Sequence, residues 1–191
     1  MKGLARHGRE HGSSTSETEA ADLRRVRVTT WSIEVRDPGD AAARAAVRAY
    51  VAELDELLGA SSPTIADPDP GANSPHILVV LDDGEVLGCA GLRVIDVPTY
   101  GQVAEVKRMW LSRRLRGQGA GRALLEQLHA DARSRGLVRV VLDGKHELIH
   151  ARRLYLTAGY RDIDPYGDNT DATVWMGLHL DSTGPVGSPD A

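Results

Sequence analysis

The sequence predicts an α/β (α+β) fold, a mixed central β-sheet of about six to seven strands flanked by helices. Two strand-like runs joined by a tight turn come early. A series of strand, glycine-rich loop, helix, strand, helix and strand comes after them. With no Phe, three Trp and five Tyr, the core must be built mainly from Leu, Val, Ile and Ala. The patterned region is residues 26–180, long enough for one domain with a sizeable core. Residues 1–25 are small and polar without periodicity and read as a disordered tail. Residues 181–191 hold Ser, Thr, Gly and Pro and read as a second flexible tail.

Val26–Val35 is rich in Val, Thr, Ile and Trp, which suits a strand. Asp37–Pro38–Gly39–Asp40 makes a turn, and Asp40 stands where it can cap the next helix. Val47, Tyr50, Val51, Leu54, Leu57 and Leu58 recur at helical spacing, and Gly59 stops that helix. Residues 60–75 contain Pro63, Pro68, Pro70, Gly71 and Pro75 and form a long loop. His76–Leu81 and Glu85–Ile95 are strands around an Asp82–Asp83–Gly84 hairpin turn. Val103–Leu111 is a further strand, and Arg113–Gly121 a basic, glycine-rich loop. Leu124, Leu125, Leu128 and Ala132 share one face of a helix that ends at Gly136. Val138–Leu142 is apolar apart from Arg139, which suits a buried central strand. Leu148, Ala151, Leu154, Tyr155 and Ala158 mark the last helix, closed by Gly159. Tyr160–Ile163 and Thr173–Leu180 are the final strands.

Composition excludes several classes. A net charge of −4 lacks the Lys/Arg surplus that phosphate neutralisation needs, so no nucleic-acid partner is expected. No apolar run approaches the roughly 20 residues that span a bilayer, so no membrane role is expected. Lys2, Arg6 and Arg9 have no apolar segment behind them, which argues against a secretory signal. Cys89, the single cysteine, cannot form an internal disulfide. That fits a reducing cytoplasm, and Cys89 itself reads as a small core residue on a strand.

The informative segment runs from Glu105 to Arg122. It holds six basic residues and one acidic one in a chain whose net charge is negative. A strand enters, Gly117, Gly119 and Gly121 turn the chain, and an amphipathic helix leaves. Glycines permit positive φ and close backbone approach, and the free N–H groups at a helix N-terminus attract an anion. A polyanionic ligand is the economical expectation. The loop lacks the Lys-Ser/Thr of a nucleotide-binding P-loop, and its glycine spacing fails the dinucleotide fingerprint.

What does fit is Arg116-x-x-Gly119-x-Gly121, which resembles the Q/R-x-x-G-x-G/A signature of the GCN5-related N-acetyltransferase (GNAT) family. Downstream, Ala151-x-x-Leu154–Tyr155-x-x-x-Gly159–Tyr160 is similar to that family's second motif. The resemblance covers about residues 26–180. It implies the family's fold and an N-acetyltransferase that moves an acetyl group from acetyl-CoA to a primary amine of a small molecule or peptide. Transfer would be direct, in a ternary complex without a covalent enzyme intermediate. It also implies that the backbone of Gly117, Gln118, Gly119, Ala120, Gly121 and Arg122, with Arg116 nearby, holds the pyrophosphate. Met109, Trp110 and Leu111 would pair with the pantetheine arm, and a backbone N–H there would polarise the thioester carbonyl. Tyr155 stands at the family's usual general-acid position, against the reading of a core aromatic. Glu105 stands where a carboxylate often serves as base, against the reading of an ordinary salt-bridge Glu beside Lys107 or Arg108. Leu148 departs from the family, replacing the polar residue expected three positions before Ala151. Homodimers are common in the family, and the sequence is compatible with one.

Two other readings compete. A member that binds acyl-CoA without turnover, as a sensor or partner protein, draws on the Leu148 departure. His146–Glu147–Leu148–Ile149–His150 spells H-E-x-x-H, in which two His on one helix face hold zinc with Glu as base. No Glu occurs after residue 147, and Arg153 and Leu156 break the extended form of that motif. No metal is therefore expected, though His146 or His150 could still serve as a base. For the acceptor, the loop 60–75, Asp96–Gly101, Asp143 and Tyr166–Asp171 are the candidate walls.

Overall fold

Turn and capping residues set the boundaries of each element. The computed structural model describes residues 30–59 and 76–180. Strand β1 (Trp31–Arg36) ends where the Asp37 carbonyl accepts from the Asp40 N–H at 2.9 Å. Asp40 then caps helix α1 (Ala41–Leu58), its carboxylate accepting from the Ala42 N–H at 2.8 Å. Gly59, at φ 81°, stops the helix. Strands β2 (Ile77–Asp82) and β3 (Glu85–Val97) pair around Asp83 and Gly84, whose φ values of 48° and 78° are those of a tight hairpin turn. Strand β4 (Gly101–Leu111) returns antiparallel to β3.

A single 3₁₀ turn at Arg113–Leu115 leads into helix α2 (Ala120–Ser134). Strand β5 (Arg139–Gly144), helix α3 (Ile149–Thr157), and strands β6 (Arg161–Asp162) and β7 (Val174–His179) complete the chain. The seven strands form one sheet in the order β1-β2-β3-β4-β5-β7-β6. Every neighbouring pair is antiparallel except β4 and β5, which α2 joins as a crossover. Leu124, Leu125 and Leu128 of α2 and Leu154 and Tyr155 of α3 pack on one face, over Val80, Leu92, Val106, Leu142 and Met176. Helix α1 covers the other face through Ala43 and Ala46 against Ile77, Val79 and Cys89. Each large aliphatic side chain buried this way contributes about 1.5–3 kcal/mol. No helix among the described residues is long and apolar enough to cross a membrane.

Besides a register shift between Val80 and Leu81 in the β2–β3 pair, two irregularities interrupt the middle of the sheet. Cys89 pairs with Trp110 and Gly91 with Lys107, so β4 carries one residue more than β3 over this stretch. Arg108 lies in that stretch with φ 52°, a bulge whose carbonyl accepts from Cys89 Sγ at 3.2 Å. The insertion reverses the alternation of β4. Ala104 and Val106 face α2 before it, Met109 and Leu111 after it, and Trp110 turns toward α1. The second irregularity is between β4 and β5, which pair only at Ala104–Val140 and Glu105–Val141. Beyond those pairs β4 stays on β3 as far as Leu111, β5 stays on β7 as far as Gly144, and the two central strands part.

Some boundaries differ from the sequence expectation. The first strand occupies Trp31–Arg36; positions 26–29, both expected tails and the loop 60–75 lie outside the described residues. The expected loop 113–121 gives up Ala120 and Gly121 to α2. Val138 is 52% exposed, because β5 begins at Arg139 and its buried part at Val140.

Candidate active site

The parting of β4 and β5 opens a cavity of about 540 Å³ through the middle of the sheet, within the usual range for small-molecule sites. Strand parity divides its lining. On the α2/α3 side lie Val106, Met109, Leu142, Ala151 and Tyr155. On the α1 side lie Tyr50, Leu54, Arg93, Lys107 and Asp143.

No residue of the glycine loop lines this cavity; the loop packs on α3, which does. Gly117 and Gly119 adopt φ of 75° and 85°, and a Cβ on either would meet nothing within 4 Å. The space is open at both positions, and only glycine turns there without strain. Gly119 is the N-cap of α2 and supplies no side-chain hydrogen bond; the first bond from the helix is Ala123 N–H to the Gly119 carbonyl at 3.0 Å. The N–H groups of Ala120, Gly121 and Arg122 therefore have no acceptor within the helix. Gly121 acts by size instead: a Cβ there would sit 3.0 Å from Leu154 and 3.1 Å from Leu111. That close approach brings the loop onto α3, whose Ala151 and Tyr155, with Leu148 just before the helix, line the cavity.

The arginines of this loop are paired. Arg113 meets Glu56, Arg114 meets Glu85, Arg122 meets Glu126, and Arg116 meets Glu53. The local positive charge of the sequence is thus offset by nearby acids. Exposed pairs of this kind are worth about 0–1 kcal/mol and exchange readily with another anion. Glu53 differs from the rest. Its other oxygen accepts from Trp110 Nε1 at 2.8 Å, so one α1 carboxylate ties the end of β4 to the loop. Burial would raise its carboxyl, but the hydrogen bonds from Trp110 and Arg116 and the charges of Arg116 and Arg113 hold it below the ordinary glutamate range. Glu53 escapes sequence reading because both partners are remote in the chain. Its one signal is an acid three residues after Tyr50, beside the apolar stripe of α1.

Of the expected pantetheine contacts, Met109 lines the cavity, Trp110 points to α1, and Leu111 packs under Gly121. The Leu111 carbonyl also accepts from Arg116 Nε at 3.1 Å. Tyr155 lines the cavity. Burial, with Tyr50 and Asp143 nearby, keeps its phenol well above the ordinary tyrosine range, so it stays protonated at neutral pH. Its ring lies 5.6 Å from that of Tyr160. Tyr160 is fully buried, and its hydroxyl meets His129 Nε2 at 2.8 Å.

Glu105 is 2% exposed and lies outside the cavity lining. It pairs across the strands with Arg93 and approaches Lys107 at 3.7 Å. Lys107 in turn bridges the parted strands to Asp143 at 2.8 Å. Burial would raise the Asp143 carboxyl, but Lys107 and a hydrogen bond from Asn169 hold it below the ordinary carboxylate range. Of the candidate acceptor walls, Asp143 and residues 168–171 line the cavity, whereas Tyr166 and Gly167 do not. Asp96–Gly101 does not, since that hairpin lies at the closed end of β4. His146 precedes α3, with its backbone N–H and ring Nδ1 both at Thr173 Oγ1 (2.9 and 3.1 Å), so His146 and His150 do not share a helix face. Neither lines the central cavity.

Residues 47–160 match the family model described as the acetyltransferase (GNAT) family. A protein of Azospirillum brasilense named "IAA acetyltransferase" is 35% identical over 118 residues, covering 62% of this chain and 71% of that protein. Among solved structures, a GNAT-family acetyltransferase of Staphylococcus aureus is 14% identical with a TM-score of 0.64, over 78% of this chain and 99% of that one. A Salmonella typhimurium protein solved with its cofactor acetyl-CoA is 23% identical with a TM-score of 0.58, over 85% of this chain and 99% of that one.

His129 supplies a pH test of the core behind the site. Burial, aided by the charge of Arg133, lowers its imidazole to about 4. Between the ordinary histidine range and that value, the unfolded chain takes up a proton that the folded chain refuses. Stability is therefore full above that range and falls as pH drops toward about 4, by about 1–3 kcal/mol once solvent screening is allowed for. His129→Gln keeps a partner for Tyr160 and removes the titration. Urea midpoints are expected to fall less in that variant than in wild type between about pH 7 and about pH 5. Parallel declines would contradict the assignment.

Proposed function

The chain belongs to the acetyltransferase (GNAT) family, and from that premise we propose that it is an N-acetyltransferase. It moves the acetyl group of acetyl-CoA to a primary amine of a small molecule or peptide by direct attack. The observation that carries this reading is the parting of β4 and β5 beside a helix N-terminus that no side chain caps. The residues present fit the cosubstrate: open space at Gly117 and Gly119 suits phosphate oxygens, and the freed edge of β4 suits an extended amide chain.

Acetyl-CoA supplies the activated thioester when bound. The backbone N–H groups from Gly119 to Arg122 hold its pyrophosphate, while that of Gln118 already donates to the Leu115 carbonyl at 3.2 Å. Arg116, whose side chain is 36% exposed, joins them while keeping Glu53 as a partner. Main-chain groups of Met109, Trp110 and Leu111 pair with the pantetheine amides as an added strand would. A backbone N–H on that edge polarises the thioester carbonyl. Tyr155, kept protonated by burial, gives its proton to the departing thiolate. The ammonium proton leaves through water; Glu105, buried behind Arg93 and Lys107 and outside the cavity lining, holds those cations rather than taking the proton itself. Leu148 at the start of α3 lines the cavity as an apolar wall, without the polar contact of the family pattern.

Tyr155→Phe is expected to lower kcat by about 10²–10⁴-fold with the acetyl-CoA Kd little changed, measured by thiol release and calorimetry. Unchanged turnover would reject Tyr155 as the acid. Gly119→Val places a branched side chain, at a strained φ, in the space assigned to phosphate. A folded Gly119→Val protein, checked by circular dichroism, should lose acetyl-CoA binding; intact affinity would count against the phosphate cradle.

A further inference from the structure

The acceptor half of the cavity carries a line of charges whose depth is uneven. Arg93, Glu105, Lys107, Asp143 and Asn169 form one hydrogen-bonded and ion-paired chain across β3, β4, β5 and the 168–171 loop. The two carboxylates are buried, with Glu105 3% and Asp143 5% exposed at the side chain. The two cations stand in front of them, Arg93 28% and Lys107 26% exposed, and both line the cavity. Among the described residues, only Nε of Arg93 is hydrogen-bonded, to Glu105, which leaves the terminal nitrogens of the fork for a ligand.

The more open ends of the network are therefore its cation donors, although it is balanced in charge. An arginine fork next to a lysine matches a carboxylate in geometry as well as sign. The 168–171 loop, tied to Asp143 through Asn169, adds the other sign to the same cavity with Asp168. The wall from α1 is Tyr50, Val51, Leu54 and Leu58. Both signs and an apolar wall in one small cavity suit a zwitterion with an apolar body better than a plain amine.

Resting on the acetyl-transfer reading above, we infer that the acceptor is a small amino acid with an apolar side chain, its carboxylate received by Arg93 and Lys107. The buried Glu105 and the cavity-lining Asp143 hold those cations in place. Asp168 on the loop offers the other sign to the amine end of the ligand.

The full chain is assayed for thiol release from acetyl-CoA with leucine, methionine, phenylalanine and tryptophan. Each is paired with its amide and its decarboxylated amine. At least one acid is expected to exceed both counterparts in kcat/KM by about 10–100-fold. In Lys107→Gln/Asp143→Asn, which removes a cation together with its buried partner, the acid-to-amide ratio is expected to fall toward one. Arg93→Lys keeps the counter-charge to Glu105 and loses the fork, and should lower the same ratio if the double variant does not fold. Amides or amines that react as well as their acids overturn this inference and leave acetyl transfer standing. Acetyl-CoA binding with no thiol release from any compound also overturns it. Failure to bind acetyl-CoA at all removes the broader reading with it.

Discussion

The brevity of the contact between β4 and β5 governs the rest of the molecule. Two parallel strands joined by a crossover helix would ordinarily pair along their length, since each further ladder bond satisfies a buried backbone group. Here the pairing stops after Glu105 and Val141. The bulge at Arg108 lies three residues beyond, and an inserted residue increases local twist and bends its strand. β4 therefore keeps to β3 while β5 keeps to β7, and the gap between them becomes the cavity. The reversed alternation after the bulge then turns Trp110 toward α1, where Glu53 takes its N–H. Strand geometry and site geometry have one cause.

Electrostatics divide the site into an exchangeable part and a fixed part. Around the glycine loop, surface arginines are matched by glutamates, and little stability rides on any one pair. An anion arriving there replaces one carboxylate with another negative group. On the α1 side the carboxylates of Glu105 and Asp143 are buried, so breaking their pairs leaves a charge without water, which is costly. That network stays as folded and presents its cations outward. In the proposed reading the glycine loop adapts to a ligand, whereas the acceptor floor selects one.

Much of the fold is legible in the chain. Asp40 as a cap, the Asp83–Gly84 turn, the helices ending at Gly59 and Gly136, and the glycine loop all rest on local rules, and local rules hold. The strand gap is not legible, because where a parallel pair stops depends on twist accumulated across the sheet. Nor is the bulge, since Arg108 is a poor residue for positive φ and is held there by its neighbours. Glu53 and Arg93 escape sequence reading because their partners lie far off in the chain, 57 and 63 residues for Glu53 and 12 for Arg93. From sequence, Glu105 is a base or a salt-bridge residue; its geometry is that of a buried ion pair at the back of the wall. The H-E-x-x-H run dissolves for a local reason: α3 starts at Ile149, so its first His lies in the turn before the helix.

The central claim is that the freed edge of β4 and the uncapped start of α2 receive one ligand between them. Backbone amide resonances of the ¹⁵N-labelled chain, monitored during titration with acetyl-CoA, test it most directly. The account predicts the largest shifts, and new protection from hydrogen exchange, at Met109–Leu111 and Gly119–Arg122. Shifts confined to other elements, with those amides unmoved at saturation, would contradict it.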